Sequence, residues 1–193
     1  MYNLHSILIQ LKKEDTPLHG VMVRCVRCFY QWLDPTLWEG SALFELWAQE
    51  LELIYGDLRQ RLSPNAKTDA GSLGDRFGFD TPPELPRLLQ SIQTFYSVLI
   101  KLIAWNTLRG ATPEPPLTEL LSGRAFVNRG IRNFCGDDWY IWPLDIWDPA
   151  LETQCEELRA CLESFDTCPE GSTLSPDSLS RIYETVVPPA LRH

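Results

Sequence analysis

The sequence predicts an all-α protein, an irregular helical bundle with a buried central helix and an aromatic-rich irregular segment. Three observations carry this expectation. Apolar residues recur at three-and-four spacing through most of the chain, and no stretch alternates as a strand would. One segment after Pro83 is apolar nearly all round, which places it in the middle of a bundle. Finally, 193 residues that are 44% hydrophobic, with seven Trp, eight Phe and six Tyr, can bury a real core.

The elements follow in order. Leu18, Val21, Met22, Cys25, Phe29, Trp32 and Leu33 mark a helix that ends near Asp34-Pro35. Leu43, Trp47, Leu51, Ile54 and Leu58 line one face of a second helix, with Glu45, Gln49 and Glu52 on the other. Ser63-Pro64-Asn65 through Gly74 is a turn-rich loop. The strongest helix runs from about Pro83 to Leu108, carrying Leu88, Leu89, Ile92, Tyr96, Leu99, Ile100, Ile103 and Trp105. Gly110, Pro113, Pro115 and Pro116 stop it and make a stiff connector. From Leu117 to Trp147 the pattern becomes irregular and aromatic. Asp148 as N-cap and Pro149 at the first helical position open another helix, striped by Leu151, Cys155, Leu158, Leu162 and Phe165. Cys168 to Pro176 is a polar loop, and Asp177 to Val187 forms a last short helix. We divide the chain into a helical scaffold over 1–175 and a connector helix over 176–193.

Charge narrows the function. The net charge is −9, from 26 acidic against 17 basic residues. An acidic surface repels phosphate backbones and anionic membranes, so strong independent nucleic-acid binding is not expected, and any DNA contact would be local and weak. The longest apolar run, Phe95 to Trp105, contains Lys101 and is too short to span a bilayer. Residues Met1 to Gln10 lack the basic start of a secretory signal, so a cytoplasmic setting with free thiols is expected for the six cysteines.

Candidate sites each meet a plainer alternative. Cys25-Val26-Arg27-Cys28 has a metal or redox spacing. A structural zinc needs four ligands, though, and Cys155, Cys161 and Cys168 with His5 and His19 form no matching pair. Buried core thiols explain the motif better. The run Asp137 to Asp148 holds Trp139, Tyr140, Trp142 and Trp147, which could stack bases, but its four aspartates would repel a phosphodiester strand. Burial over a groove between helices is the stronger expectation. Gly71, Gly74 and Gly78 read as a flexible turn and not as a phosphate loop.

The basic stretch lies between Gly123 and Asn133, uninterrupted by acid from Glu119 to Asp137. Arg124, Arg129 and Arg132, with Asn128 and Asn133, could grip phosphates. The alternative is that these arginines pair with the adjacent acidic aromatic segment, and at sequence level that alternative is favoured. No catalytic order of His with Ser or Cys occurs.

Three segments carry a family resemblance. The run Gln93 to Ala104 resembles the His-Thr-Tyr-Tyr-Ala-Leu-Leu-Ile-Lys-Leu-Leu-Ala helix ahead of the catalytic domain in large N6-adenine DNA methyltransferases of the fused restriction–modification type. Phe134 to Trp147 looks like that family's acidic-aromatic segment ending in Leu-Asp-x-Trp, here Leu144 to Trp147. The tail Ile182 to His193 is similar to the family's Tyr-x-x-x-(Val/Ile)-Pro-x-x-Leu-Arg-His. Gln93 stands where the family often has His, and Trp142-Pro143 replaces Trp-Tyr.

The resemblance implies the amino-terminal scaffold of such an enzyme, ending where a Gly-x-Tyr-Tyr-Thr-Pro segment would open the catalytic domain. It implies a methyl transfer from S-adenosylmethionine to adenine N6 in the whole enzyme, in a restriction–modification or phage-defence setting. The catalytic module, in cis or as a split subunit, would be the partner. Neither Thr81-Pro82-Pro83-Glu84 nor Glu114-Pro115-Pro116-Leu117 fits the (Asn/Asp/Ser)-Pro-Pro-aromatic motif that holds the target amine. No catalytic, cofactor or metal residue is therefore assigned in this chain, and Arg124, Arg129 and Arg132 are the only site residues expected. The alternative is a standalone helical adaptor that binds a protein partner through its apolar tail.

Overall fold

The computed structural model describes residues 4–34, 44–49, 74–108, 110, 112–135, 140–165 and 176–187. The described residues are helical, with no strand among them, as the spacing predicts. In chain order the helices are α1 (Leu4–Lys12), α2 (Pro17–Trp32), α3 (Leu85–Leu108), α4 (Leu117–Leu121), α5 (Arg124–Val127), α6 (Pro149–Glu163) and α7 (Pro176–Val186). A helical stretch at 44–49 and a 3₁₀ turn at Trp142–Leu144 complete the set.

Local chemistry explains where these helices begin. Thr16 caps α2 by accepting the His19 amide at 3.3 Å, with Pro17 at the first helical position. Asp148 caps α6 by accepting the Leu151 amide at 2.8 Å, again followed by proline, as the sequence predicts. α1 was not among the expected elements. Its Ile7 and Leu11 are both fully buried, four residues apart on one face.

α3 is the centre of the bundle. Fourteen of its 24 residues are buried, and α2 and α4 pack along it with α6 and α7 beside them. By length and composition it is the one helix among the described residues that could cross a bilayer, yet 72% of its most apolar window is buried inside the bundle. Two of its buried hydroxyls are satisfied locally. Ser91 and Thr94 donate to the carbonyls of Arg87 and Gln90, each at 2.7 Å. α2 lies between α3 and α6, contributing Leu18, Met22, Cys25, Val26 and Phe29 to the core, none with measurable exposure. At about 1.5–3 kcal/mol for each fully buried large apolar side chain, this seam is a main source of stability.

The irregular aromatic segment docks on these helices. Trp142 is 1% exposed, meets the Phe29 ring edge-on at 5.9 Å, and donates its indole N–H to Thr94 Oγ1 at 2.9 Å. Tyr140 donates to Gln93 Oε1 at 2.6 Å. The predicted burial over a helix groove is therefore what the described part shows, and Gln93 keeps a polar role.

α7 packs against α1 and α3, with Ile182, Val186 and Val187 buried and Tyr183 edge-on to Tyr96 at 5.4 Å. Expected as a connector, it is as much a wall of the bundle as α1. The second predicted helix is described only at 44–49, where Trp47 is buried and Glu45 and Gln49 face out. Its continuation, the loop from Cys168 and the tail from Pro188 lie outside the described residues.

Long-range cations finish the helix carboxyl ends, where carbonyls have no intrahelical donor. Arg87 donates to Tyr30 O at 2.6 Å and Gln31 O at 3.2 Å at the end of α2, its guanidinium 4.1 Å over the Tyr30 ring. The Lys101 ammonium, 3% exposed, donates to Leu121 O of α4 at 2.8 Å. Arg76 donates to Thr185 O of α7 at 2.7 Å. Each pairing also suits the negative end of a helix dipole.

Candidate nucleic-acid interface

The basic stretch forms a closed loop below the end of α3. It opens at Gly123, whose φ of +80° is a left-handed conformation that favours glycine. A Cβ there would lie 2.0 Å from the Phe134 carbonyl oxygen, so the two ends of the loop touch. Within it, Ile131 and Arg129 donate their amides to Phe126 O at 3.1 and 2.9 Å, and Gly130 (φ +77°) turns the chain. Phe126 is the loop's own core: it contacts the Phe134 ring at 4.5 Å and the Trp105 ring of α3 at 5.8 Å.

The three expected arginines separate into two roles. Arg129 donates to Leu108 O at the end of α3 and to Thr112 Oγ1 in the connector, with its guanidinium 5.6 Å from the Trp105 ring centre. It is a fourth cation finishing a helix. Arg124 and Arg132 point outward and are exposed, with Asn128 and Asn133 exposed beside them. Neither Arg124 nor Arg132 makes an ion pair with another described residue, whereas Arg24, Arg87 and Arg159 pair with Glu157, Asp34 and Glu114 respectively. The pairing with the acidic aromatic segment that the sequence favoured is therefore not seen among the described residues. Asp137 and Asp138 lie outside them.

The thiols sit in the seam between α2 and α6. Cys25 and Cys155 are fully buried, and Cys25 Sγ donates to Gln154 O at 3.5 Å. Burial drives all three thiol pKa values up: Cys25 well above its ordinary range, Cys155 to about 12, and Cys28 to about 11 with Asp148 adding to the effect. Such thiols stay protonated near neutrality and behave as small apolar groups. Among the described residues, no three His, Cys, Asp or Glu side chains are grouped to hold a metal ion.

The glycine turn is closed by hydrogen bonds. Phe79 donates its amide to Gly74 O at 2.9 Å, and Arg27 donates to Gly78 O at 2.8 Å. Gly71 lies outside the described residues.

A cleft of about 430 Å³ between α1 and α7 was missed in the sequence, because α1 was not foreseen. His5, Leu8, Ile9 and Lys12 of α1 and Arg181 and Glu184 of α7 line it. The pairing of Arg129 with the end of α3 was also invisible, since a guanidinium 21 residues beyond its acceptor leaves no local pattern.

No protein-family model matches this chain, and no curated protein or solved structure matches it either.

Proposed function

We propose that this chain is the amino-terminal helical scaffold of a site-specific DNA adenine methyltransferase of a restriction–modification or phage-defence system. In this reading a separate catalytic module binds S-adenosylmethionine and carries out the transfer, while this module supports it and touches the duplex.

One observation carries the reading beyond residue likeness. The three segments that resemble the family converge on a single helix. The aromatic segment reaches α3 through Tyr140–Gln93 at 2.6 Å and Trp142–Thr94 at 2.9 Å. The segment leading to the tail reaches it through Tyr96–Tyr183 at 5.4 Å. In this reading the likeness marks one packed unit and not three separate pieces.

The test is the coding sequence beyond the His193 codon, in frame or in the adjacent gene. It is expected to encode Gly-x-Tyr-Tyr-Thr-Pro followed by an Asn-Pro-Pro-aromatic motif. Unrelated sequence in both places would overturn the proposal and favour the adaptor.

A further inference from the structure

We infer that the loop 123–134 is a preformed contact for the phosphodiester backbone of duplex DNA, in which Arg124 and Arg132 meet phosphates and Arg129 is a positioning residue that never touches them. The inference rests on the DNA reading above and specifies how the contact is made.

The argument begins with how cations are used in an acidic molecule. Arg76, Arg87, Lys101 and Arg129 finish helix ends, Arg27 holds the Gly78 turn, and Arg24 and Arg159 pair with carboxylates. Lys12, Lys13, Arg124, Arg132 and Arg181 are exposed outside this pattern, and of these Arg124 and Arg132 share one small loop without an acid in it. The loop is shaped before any ligand arrives. Its ends meet at Gly123 and Phe134, its centre is filled by Phe126, and Arg129 ties it to Leu108 and Thr112. A guanidinium fork matches a phosphate bidentately, and flanking amides such as Asn128 and Asn133 can add neutral donors. Contacts to phosphate fix register and orientation on a duplex and carry no sequence information directly.

Backbone contacts are counted by salt. Two phosphates neutralised give a slope of log K against log salt of about −1.8, or roughly 12-fold weaker binding from 50 to 200 mM. The measurement is fluorescence anisotropy of a labelled 20-base-pair duplex across that range, with hydrogen exchange at the Gly130 and Ile131 amides as the structural readout. Arg124→Gln and Arg132→Gln are each expected to halve the slope to about −0.9 and leave exchange unchanged. Arg129→Ala is expected to keep the full slope, weaken binding and speed exchange. Thr112→Val, which removes one partner of Arg129 and no charge, is expected to do the same more mildly, and serves should Arg129→Ala not fold. A halved slope for Arg129→Ala would overturn its positioning role. Binding that ignores Arg124→Gln and Arg132→Gln would overturn the loop assignment while leaving DNA contact by another surface. A folded wild-type chain that binds no duplex at 50 mM salt would overturn the DNA contact itself.

Discussion

Breaking the Trp142–Thr94 hydrogen bond tests whether the aromatic segment is truly docked on the central helix. Trp142 is 1% exposed, and its indole N–H reaches Thr94 Oγ1 at 2.9 Å while the same hydroxyl donates to Gln90 O at 2.7 Å. Thr94→Val leaves a buried indole N–H without an acceptor, which costs about 1–3 kcal/mol. Trp142→Phe is different in kind. The Thr94 hydroxyl keeps its bond to Gln90 O, so the loss is one net hydrogen bond, about 1 kcal/mol, plus the smaller ring. In the double variant the orphaned indole no longer exists. The cycle should therefore show a coupling of about 1 kcal/mol, with the double variant less damaged than the two singles summed. Urea denaturation followed by far-ultraviolet circular dichroism reads each step. For a chain of this size each kcal/mol also lowers Tm by about 2–4 °C. Additivity within about 0.3 kcal/mol would refute the docking, because residues that do not touch do not couple.

Three further outcomes follow from the same physics. Gly123→Ala should destabilise the fold by more than about 2 kcal/mol, since it adds a left-handed strain and drives a Cβ to 2.0 Å from Phe134 O; Gly130→Ala, with φ +77° and no atom within 4 Å, should cost only about 1 kcal/mol in the same thermal melts. Cys28, with its pKa raised to about 11, should react with iodoacetamide at pH 8 roughly a hundredfold more slowly than the same thiol in the urea-unfolded chain, as read by peptide mass spectrometry. His19, 6% exposed, has its pKa lowered by burial and then by Arg76. The sign follows: a group that binds its proton less readily when folded adds stability above its unfolded pKa, which is lost as pH falls below about 6.5. Urea midpoints should therefore drop as pH falls below about 6.5, and less so in His19→Gln.

The fold class, the cap at Asp148 and the central place of α3 follow from periodicity and local chemistry, which is why helix pattern reached them. Two kinds of feature escaped. α1 is short, and its apolar residues alternate too loosely with His5, Ser6 and Gln10 to stand out before packing in the bundle buries Ile7 and Leu11. The fate of each basic residue was equally hidden. Arg124, Arg129 and Arg132 look alike along the chain, and only the fold brings the end of α3 under Arg129 and leaves the other two outside. The cysteine motif shows the reverse. Its place in an amphipathic stripe pointed to buried thiols, and the seam between α2 and α6 buries Cys25 fully and Cys28 in part.

The central claim is that this helical module serves adenine methylation, and the direct measurement is N6-methyladenine in the DNA of cells carrying the intact locus. Nuclease digestion and mass spectrometry, with methylation-sensitive sequencing, should find the modified base in one short sequence motif. Deleting the codons for residues 4–187 in frame should abolish it, and Trp142→Ala should reduce it. Methylation that is absent from the intact locus, or undiminished by the deletion, would contradict the account.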